Sequence, residues 1–193
     1  MLASRLVLAS SSPRRRELLT QAGYDFVIDP ADIDETMSKQ ERALEATTRL
    51  ALEKAATVLA RCGSEAVVLA ADTTVVVGEQ ILGKPAGPEQ AAQMLMSLSG
   101  RNHHVLTAWA VLHAGGGESG VSRSTVRMRE VGWQEARAYA ASGEPLDKAG
   151  AYAAQGQGRR FIGAIIGPLD NVIGLPMAPV SRALARARIS PTS

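Results

Sequence analysis

Leu6 to Ser10 is a short apolar run that predicts a buried strand, and the Ser-rich segment behind it ends the pattern. Ser12 as N-cap, Pro13 at the first helical position and Gly23 just past the end predict a helix between them. A longer helix is predicted over Lys39 to Arg61. It opens on Ser38-x-x-Glu41 as a capping box and carries Leu44, Thr48, Ala51, Ala55 and Val58 or Leu59 along one face. Ala66 to Val77 predicts a strand whose apolar run is interrupted by Asp72-Thr73-Thr74, and Ile81-Leu82 after Gly78 predicts a hairpin partner. Pro88 and Glu89 open a third helix that ends at Gly100. His104 to His113 and Val121 to Val131 read as antiparallel strands around Gly115 to Gly117. A short helix over Gln134 to Ser142, a Gly-rich loop from Glu144 to Gly158, a strand over Phe161 to Ile166 and a helix opened by Pro179 complete the chain. Strands alternating with helices, some of them in hairpins, make an α/β fold with a mixed sheet.

Composition narrows this picture. The 193 residues are 46% hydrophobic but only 4% aromatic, so the core is expected to consist of Ala, Val, Leu and Ile, with helices packed closely on the sheet. The length suits one compact domain over residues 1–193, with Ser190 to Ser193 expected to be a disordered tail. A net charge of +2, from 21 basic and 19 acidic residues, is too small for a protein that wraps duplex nucleic acid, so no nucleic-acid partner is expected. The single cysteine, Cys62, excludes an internal disulfide, and the cytoplasm is the expected compartment. Ala66 to Ala71 is far short of the roughly 20 apolar residues of a membrane span. Leu6 to Ala9, followed by Pro13 and three arginines, does not read as a secretory signal. No membrane partner is expected, and a homodimer is kept as the candidate assembly.

Candidate chemistry begins at Ser10-Ser11-Ser12-Pro13-Arg14-Arg15-Arg16, where hydroxyls, a helix N-terminus and cations coincide. Arginines in a first turn oppose the helix dipole, and a bound phosphate reverses that sign. The plainer alternative is an ordinary Ser cap with solvated arginines. Asp72 follows an apolar run, so its carboxylate is drawn toward low dielectric; it is expected to be a stability cost kept for function, or else an Asx-turn or half of a structural ion pair. Glu35 and Asp147 are the further carboxylates. Gly78-x-x-x-x-Gly83-Lys84 falls short of a P-loop because Pro85 stands where a magnesium-binding hydroxyl is required, leaving Lys84 with at most a phosphate-reaching role. Lys54 borders the packed face of its helix and either snorkels or enters a cleft. The histidines have no metal-ligand spacing, no Gly-x-Ser-x-Gly elbow accompanies the serines, and Gly156-x-Gly158 reads as turn flexibility.

Ordered blocks of the chain resemble the Maf family of nucleoside triphosphate pyrophosphatases. They are Leu8-Ala9-Ser10-Ser11-Ser12-Pro13-Arg14-Arg15 with Glu17-Leu18-Leu19, Ala71-Asp72-Thr73, Gly83-Lys84-Pro85, and Leu98-Ser99-Gly100 before His103-His104-Val105. Ser142-Gly143-Glu144-Pro145-x-Asp147-Lys148-Ala149-Gly150-Ala151-Tyr152-x-x-Gln155-Gly156 looks like the branch acting on dTTP and UTP, and Asn171-Val172-Ile173-Gly174-Leu175-Pro176 completes the pattern. The resemblance implies a mixed sheet in two lobes around a substrate cleft, and cleavage between the α and β phosphates with Mg²⁺ or Mn²⁺. It makes Asp72 the proton acceptor and ties Arg14, Thr73 and Gln155 to substrate choice. Ser10, Ser12, Arg15, Lys54, Lys84 and Lys148 would line the phosphates, and Glu35, Asp72 and Asp147 would hold the metal.

A carboxylate is a weak base at neutral pH, so a metal that acidifies the attacking water is the favoured arrangement. A Gln carboxamide complements N3–H and O4 of uracil or thymine, and Gly150 and Gly156 suggest close backbone approach to the base. Ala154, Arg159-Arg160 and Pro168-Leu169-Asp170 depart from the family pattern around this late loop. Two alternatives stay open: the branch acting on 7-methyl-GTP, and a non-catalytic nucleotide sensor linked to septum formation.

Overall fold

The computed structural model describes residues 5–38 and 40–192 and has a seven-stranded mixed sheet flanked by helices. In chain order the elements are β1 (Arg5–Leu8), α1 (Pro13–Gln21), β2 (Val27–Ile28), α2 (Ala43–Cys62), β3 (Ala66–Val77), β4 (Gln80–Leu82), α3 (Pro88–Leu98), β5 (Asn102–His113), β6 (Gly116–Met128), α4 (Trp133–Ala141), β7 (Ile162–Ile166), α5 (Leu169–Ile173) and α6 (Met177–Arg186). The sheet order is β2-β1-β3-β5-β6-β7, with β4 also on β3. β1 runs parallel to β2 and to β3, in register at Val7 with Val27 and Leu6 with Val67. β4 is antiparallel to β3 and β7 to β6, so the sheet is mixed, as the hairpin signals predict.

The chain gathers into two compact units. The first holds the residues up to Asp72, Thr107–Ser122 and those from Gly174 on; the second holds Thr73–Leu106 and Arg123–Ile173. In the first, side chains alternate strictly along the strands. Leu6, Leu8, Val67, Leu69 and Ala71 pack with Leu19, Val180 and Leu184, while Val7, Ala9, Ala66, Val68 and Ala70 pack with Ala55 and Val58 of α2. Strands buried on both faces read as continuous apolar runs, which is why β1 and the start of β3 were legible. In the second, Ala91, Leu95 and Leu98 of α3 pack with Ala136, Tyr139 and Ala140 of α4 around Phe161, whose ring meets Tyr139 edge-on at 5.0 Å.

The differences from the sequence pattern are local. α2 begins at Ala43, after the Ser38-Glu41 signal rather than on it: Glu41 N–H bonds to Ser38 O at 3.1 Å in a turn, and Arg42 N–H reaches Glu45 Oε2 at 3.3 Å to open the helix. The predicted start, Lys39, lies outside the described residues. The Glu144 to Gly158 loop contains 3₁₀ turns at Glu144–Asp147 and Ala149–Ala151, with a third beginning at Gly156. Ser190 to Ser193 was expected to be disordered. Thr192 instead donates its N–H to Gly23 O at 2.7 Å, and Ser193 lies outside the described residues. Among the described residues no helix is long and apolar enough to cross a membrane.

Candidate active site

Ser10 leaves the end of β1 buried, and its Oγ accepts two hydrogen bonds, from Ser12 N–H at 3.2 Å and from Arg15 Nη1–H at 3.1 Å. Arg15 also donates Nε–H to Gly174 O at 2.9 Å, so its guanidinium is fixed at two points. Burial pushes the Arg15 pKa down from its ordinary value; Asp72 and Glu35 pull the other way, and Arg14 adds to the lowering. Ser12 is the N-cap residue, as predicted, with extended backbone, but its hydroxyl makes no capping bond and the first turn of α1 holds no acid. The positive end of a nine-residue helix is thus accompanied by Arg14, Arg15 and Arg16 rather than by a carboxylate, an arrangement suited to an anion.

Asp72 lies within β3, which runs on to Val77 as the sequence pattern predicts, so it is a mid-strand residue. It shares the face of Val68 and Ala70, the one turned to α2. On α2 the buried positions Thr47, Leu50, Ala51, Lys54, Ala55 and Val58 recur at helical spacing and bring Lys54 to that face. The result is a bridge: Lys54 Nζ lies 2.7 Å from Asp72 Oδ1 and 2.7 Å from Glu35 Oε1. The Lys54 side chain is 7% exposed, Asp72 10% and Glu35 48%, so the ammonium is buried against Asp72 and does not snorkel. Asp72 is therefore a paired charge, the ion-pair alternative of the sequence reading, and removing one partner of a buried pair leaves the other uncompensated.

The remaining predicted residues belong to the second unit. Thr73 follows Asp72 and is half-buried, and Lys84 is exposed after β4, with no helix before α3, in keeping with the excluded P-loop. Gly150 N–H bonds to Gly83 O at 3.1 Å, which draws the Lys84 and Lys148 segments together. Lys148 Nζ donates to Glu144 O at 2.6 Å and Asp147 Oδ1 at 2.5 Å. Gln155 is exposed just before the third 3₁₀ turn. Gly150 and Gly156 approach protein rather than open space: an added Cβ would lie 2.9 Å from Val75 Cγ1 at the first and 2.9 Å from Glu144 Oε2 at the second. Gly158 is no flexible turn residue either, since its Cβ would stand 2.5 Å from Tyr139 Oη and 2.7 Å from Ala153 N and O.

Asp72 and Glu35 meet through Lys54, whereas Asp147 belongs to the second unit; among the described residues no three His, Cys, Asp or Glu side chains gather as potential ligands. Asp147 is 61% exposed and pairs with its neighbour Lys148. A depression of about 690 Å³ in the first unit, lined by Asp34, Thr36, Glu41, Arg49 and Glu53, does not suit an anion, because Arg49 is already bonded to Glu41 at 2.7 Å and Glu53 at 3.1 Å. Sequence reasoning missed Glu144, whose carboxylate accepts N–H bonds from Gln157 and Gly158. Its place in the Ser142 to Gly156 block and the spacing of Gly156 and Gly158 were its signals.

Mixed-sheet topology defines an α/β protein, in which Arg14, Arg15 and Arg16 stand in the first turn of α1 and Lys54 bridges the carboxylates of Asp72 and Glu35. The chain belongs to the Maf family, whose model, described as Maf-like protein, matches residues 5–187. It is 50% identical over 182 residues to the dTTP/UTP pyrophosphatase of Myxococcus xanthus, covering 94% of this chain and 92% of that one. It is 47% identical over 184 residues to the dTTP/UTP pyrophosphatase of Moorella thermoacetica, covering 94% of each. Among solved structures, that of the Staphylococcus aureus Ham1 protein covers 97% of this chain and 91% of its own, with a TM-score of 0.48 and 18% identity.

Proposed function

We propose that this protein is a nucleoside triphosphate pyrophosphatase that hydrolyses dTTP and UTP to the monophosphate and pyrophosphate. Near full-length identity of 44–50% to relatives named for that activity supports the reading. The observation in the structure that carries it is the buried Asp72 carboxylate held against Lys54. Lys54 holds the Asp72 carboxylate in place, 2.7 Å away, oriented to accept a proton from water. Water attacks the α-phosphorus, the bridging oxygen departs with pyrophosphate, and Asp72 takes the proton. A triphosphate carries about four negative charges, which the α1 N-terminus, the Ser10 hydroxyl and Arg15 would receive, with Arg14, Lys84 and Lys148 as further cations.

A divalent cation, Mg²⁺ or Mn²⁺, fits the oxygen chemistry of Glu35 and Asp72, two carboxylates that already share one cation in Lys54. Those two residues would hold it, with Asp147 as the further candidate, and the ion would acidify the attacking water. Gln155, with Thr73 and Arg14, would select the base: a fixed carboxamide satisfies uracil and thymine and leaves cytosine mispaired. A cytoplasmic protein, a homodimer and the absence of nucleic-acid and membrane partners complete the proposal.

The test is kcat/KM for dTTP, UTP, CTP, GTP and ATP with Mg²⁺ or Mn²⁺. dTTP and UTP lead, CTP is poorer and the purines poorest, and Gln155→Ala narrows the gap between UTP and CTP. Equal values for UTP and GTP refute the pyrimidine assignment, preference for 7-methyl-GTP moves the protein to the other branch, and binding without turnover makes it a sensor.

A further inference from the structure

Gln155 itself is exposed, yet base selection requires its carboxamide to hold one orientation, so whatever fixes the backbone around it bears on specificity. The backbone is fixed on both sides by one pair of side chains. Tyr139, fully buried on α4, donates its hydroxyl to Glu144 Oε1 at 2.8 Å and accepts Ala153 N–H at 3.2 Å. Glu144 Oε1 also accepts Gly158 N–H at 2.9 Å, and Oε2 accepts Gln157 N–H at 3.0 Å. The three anchored N–H groups lie two residues before Gln155 and two and three after it.

The close approach explains the glycines. At Gly156, with φ +68°, a Cβ would come within 2.9 Å of Glu144 Oε2, and at Gly158 it would meet Tyr139 Oη. Burial pushes the Glu144 carboxyl up, but the N–H groups of Gly158 and Gln157, the Tyr139 hydroxyl and Lys148 together hold it below its ordinary pKa, so the acceptor is ionised at neutral pH. Charge-assisted bonds of this kind are the stronger class. Tyr139 is locked in turn by the edge-on ring of Phe161. On the opposite side, Tyr152 Oη lies 2.7 Å from buried His103 Nε2, so the segment leaving the core is held at its root as well.

We propose that Glu144 and Tyr139 are positioning residues for base selection, a carboxylate and phenol clamp that sets the orientation of Gln155 without touching the nucleotide. The inference rests on Gln155 reading the base, as proposed above. Glu144→Gln keeps the volume and one acceptor oxygen but turns an NH₂ group toward an anchored N–H. Tyr139→Phe keeps the ring and deletes both hydroxyl bonds.

The experiment measures kcat and KM for UTP and CTP in the wild type, Glu144→Gln, Tyr139→Phe, Gln155→Ala and the Glu144→Gln/Gln155→Ala double variant, with melting temperatures alongside. The ratio of kcat/KM for UTP over CTP falls at least about fivefold in Glu144→Gln and about threefold in Tyr139→Phe, as expected when a buried bond network is broken. The loss is larger in KM for UTP than in kcat. In the double variant Glu144→Gln has no further effect on the ratio, because the residue it positions is gone. If Glu144→Gln fails to fold, Tyr139→Phe carries the test. A folded variant that keeps the wild-type ratio, or a double variant in which the two losses add in full, overturns the proposal. If Gln155→Ala leaves the wild-type ratio unchanged, the assignment of Gln155 fails first and the clamp loses its role in selection with it.

Discussion

Asp72→Asn removes one charge from the buried Asp72–Lys54 pair and leaves its shape intact. Lys54 Nζ sits 2.7 Å from both Asp72 and Glu35. At that separation and an effective dielectric near 20, the gross attraction between Asp72 and Lys54 is about 6 kcal/mol, and most of it is offset by the cost of burying both charges. In the variant the Asn carbonyl still accepts from the ammonium, a bond to a charged group worth about 1.5–3 kcal/mol. Glu35, with half its side chain in water, still neutralises Lys54. The net loss is about 1–2 kcal/mol, less than the 3–5 kcal/mol of a buried charge left wholly unpaired. For a chain of this size that lowers the melting temperature by about 2–8 °C. Turnover falls by at least about 10²-fold, because an amide cannot accept the proton. Calorimetry and monophosphate release on the same sample read both effects. A raised melting temperature would mean that the Lys54 pairing is a net cost, and near-normal turnover in a folded variant would place the base elsewhere.

Burial pushes the His103 pKa down to about 4, with His104 adding to the shift. The unfolded chain therefore binds a proton between about pH 6.5 and 4 that the folded chain refuses, so stability falls as pH drops through that window by up to about 3 kcal/mol. In His103→Gln this acid limb is flatter in denaturant titrations at pH 7.5, 6 and 4.5; an unchanged limb contradicts the burial argument. Gly158→Ala drives a methyl group against Tyr139 Oη and the Ala153 backbone, which cannot both give way. The expected cost is about 1–3 kcal/mol in a denaturation midpoint, and a neutral substitution there contradicts the packing of the late loop.

How much of this was legible in the sequence depends on periodicity. The continuous apolar runs of β1 and the start of β3, buried on both faces, were readable, as was the charge pattern at the start of α1. Lys54 and Asp72 each stood out alone. Their pairing depends on which face of β3 meets α2, a register that neither segment encodes by itself. β2, with two residues, and α5, with five, are too short to show a period. Around Gln155 the chain turns through 3₁₀ segments with no repeat to read, so Glu144 drew no role of its own and Gly158 looked like flexibility. Both are set by contacts with Tyr139, a residue on a helix that the pattern did predict.

The central claim is hydrolysis between the α and β phosphates of a pyrimidine nucleoside triphosphate, and the most direct test is to identify the first products formed from UTP by the purified protein with Mg²⁺ or Mn²⁺. UMP and pyrophosphate in equal amounts, with no UDP, and loss of turnover in excess chelator are the predicted result. UDP and orthophosphate as first products would contradict the assigned bond, and full turnover in chelator would contradict the metal.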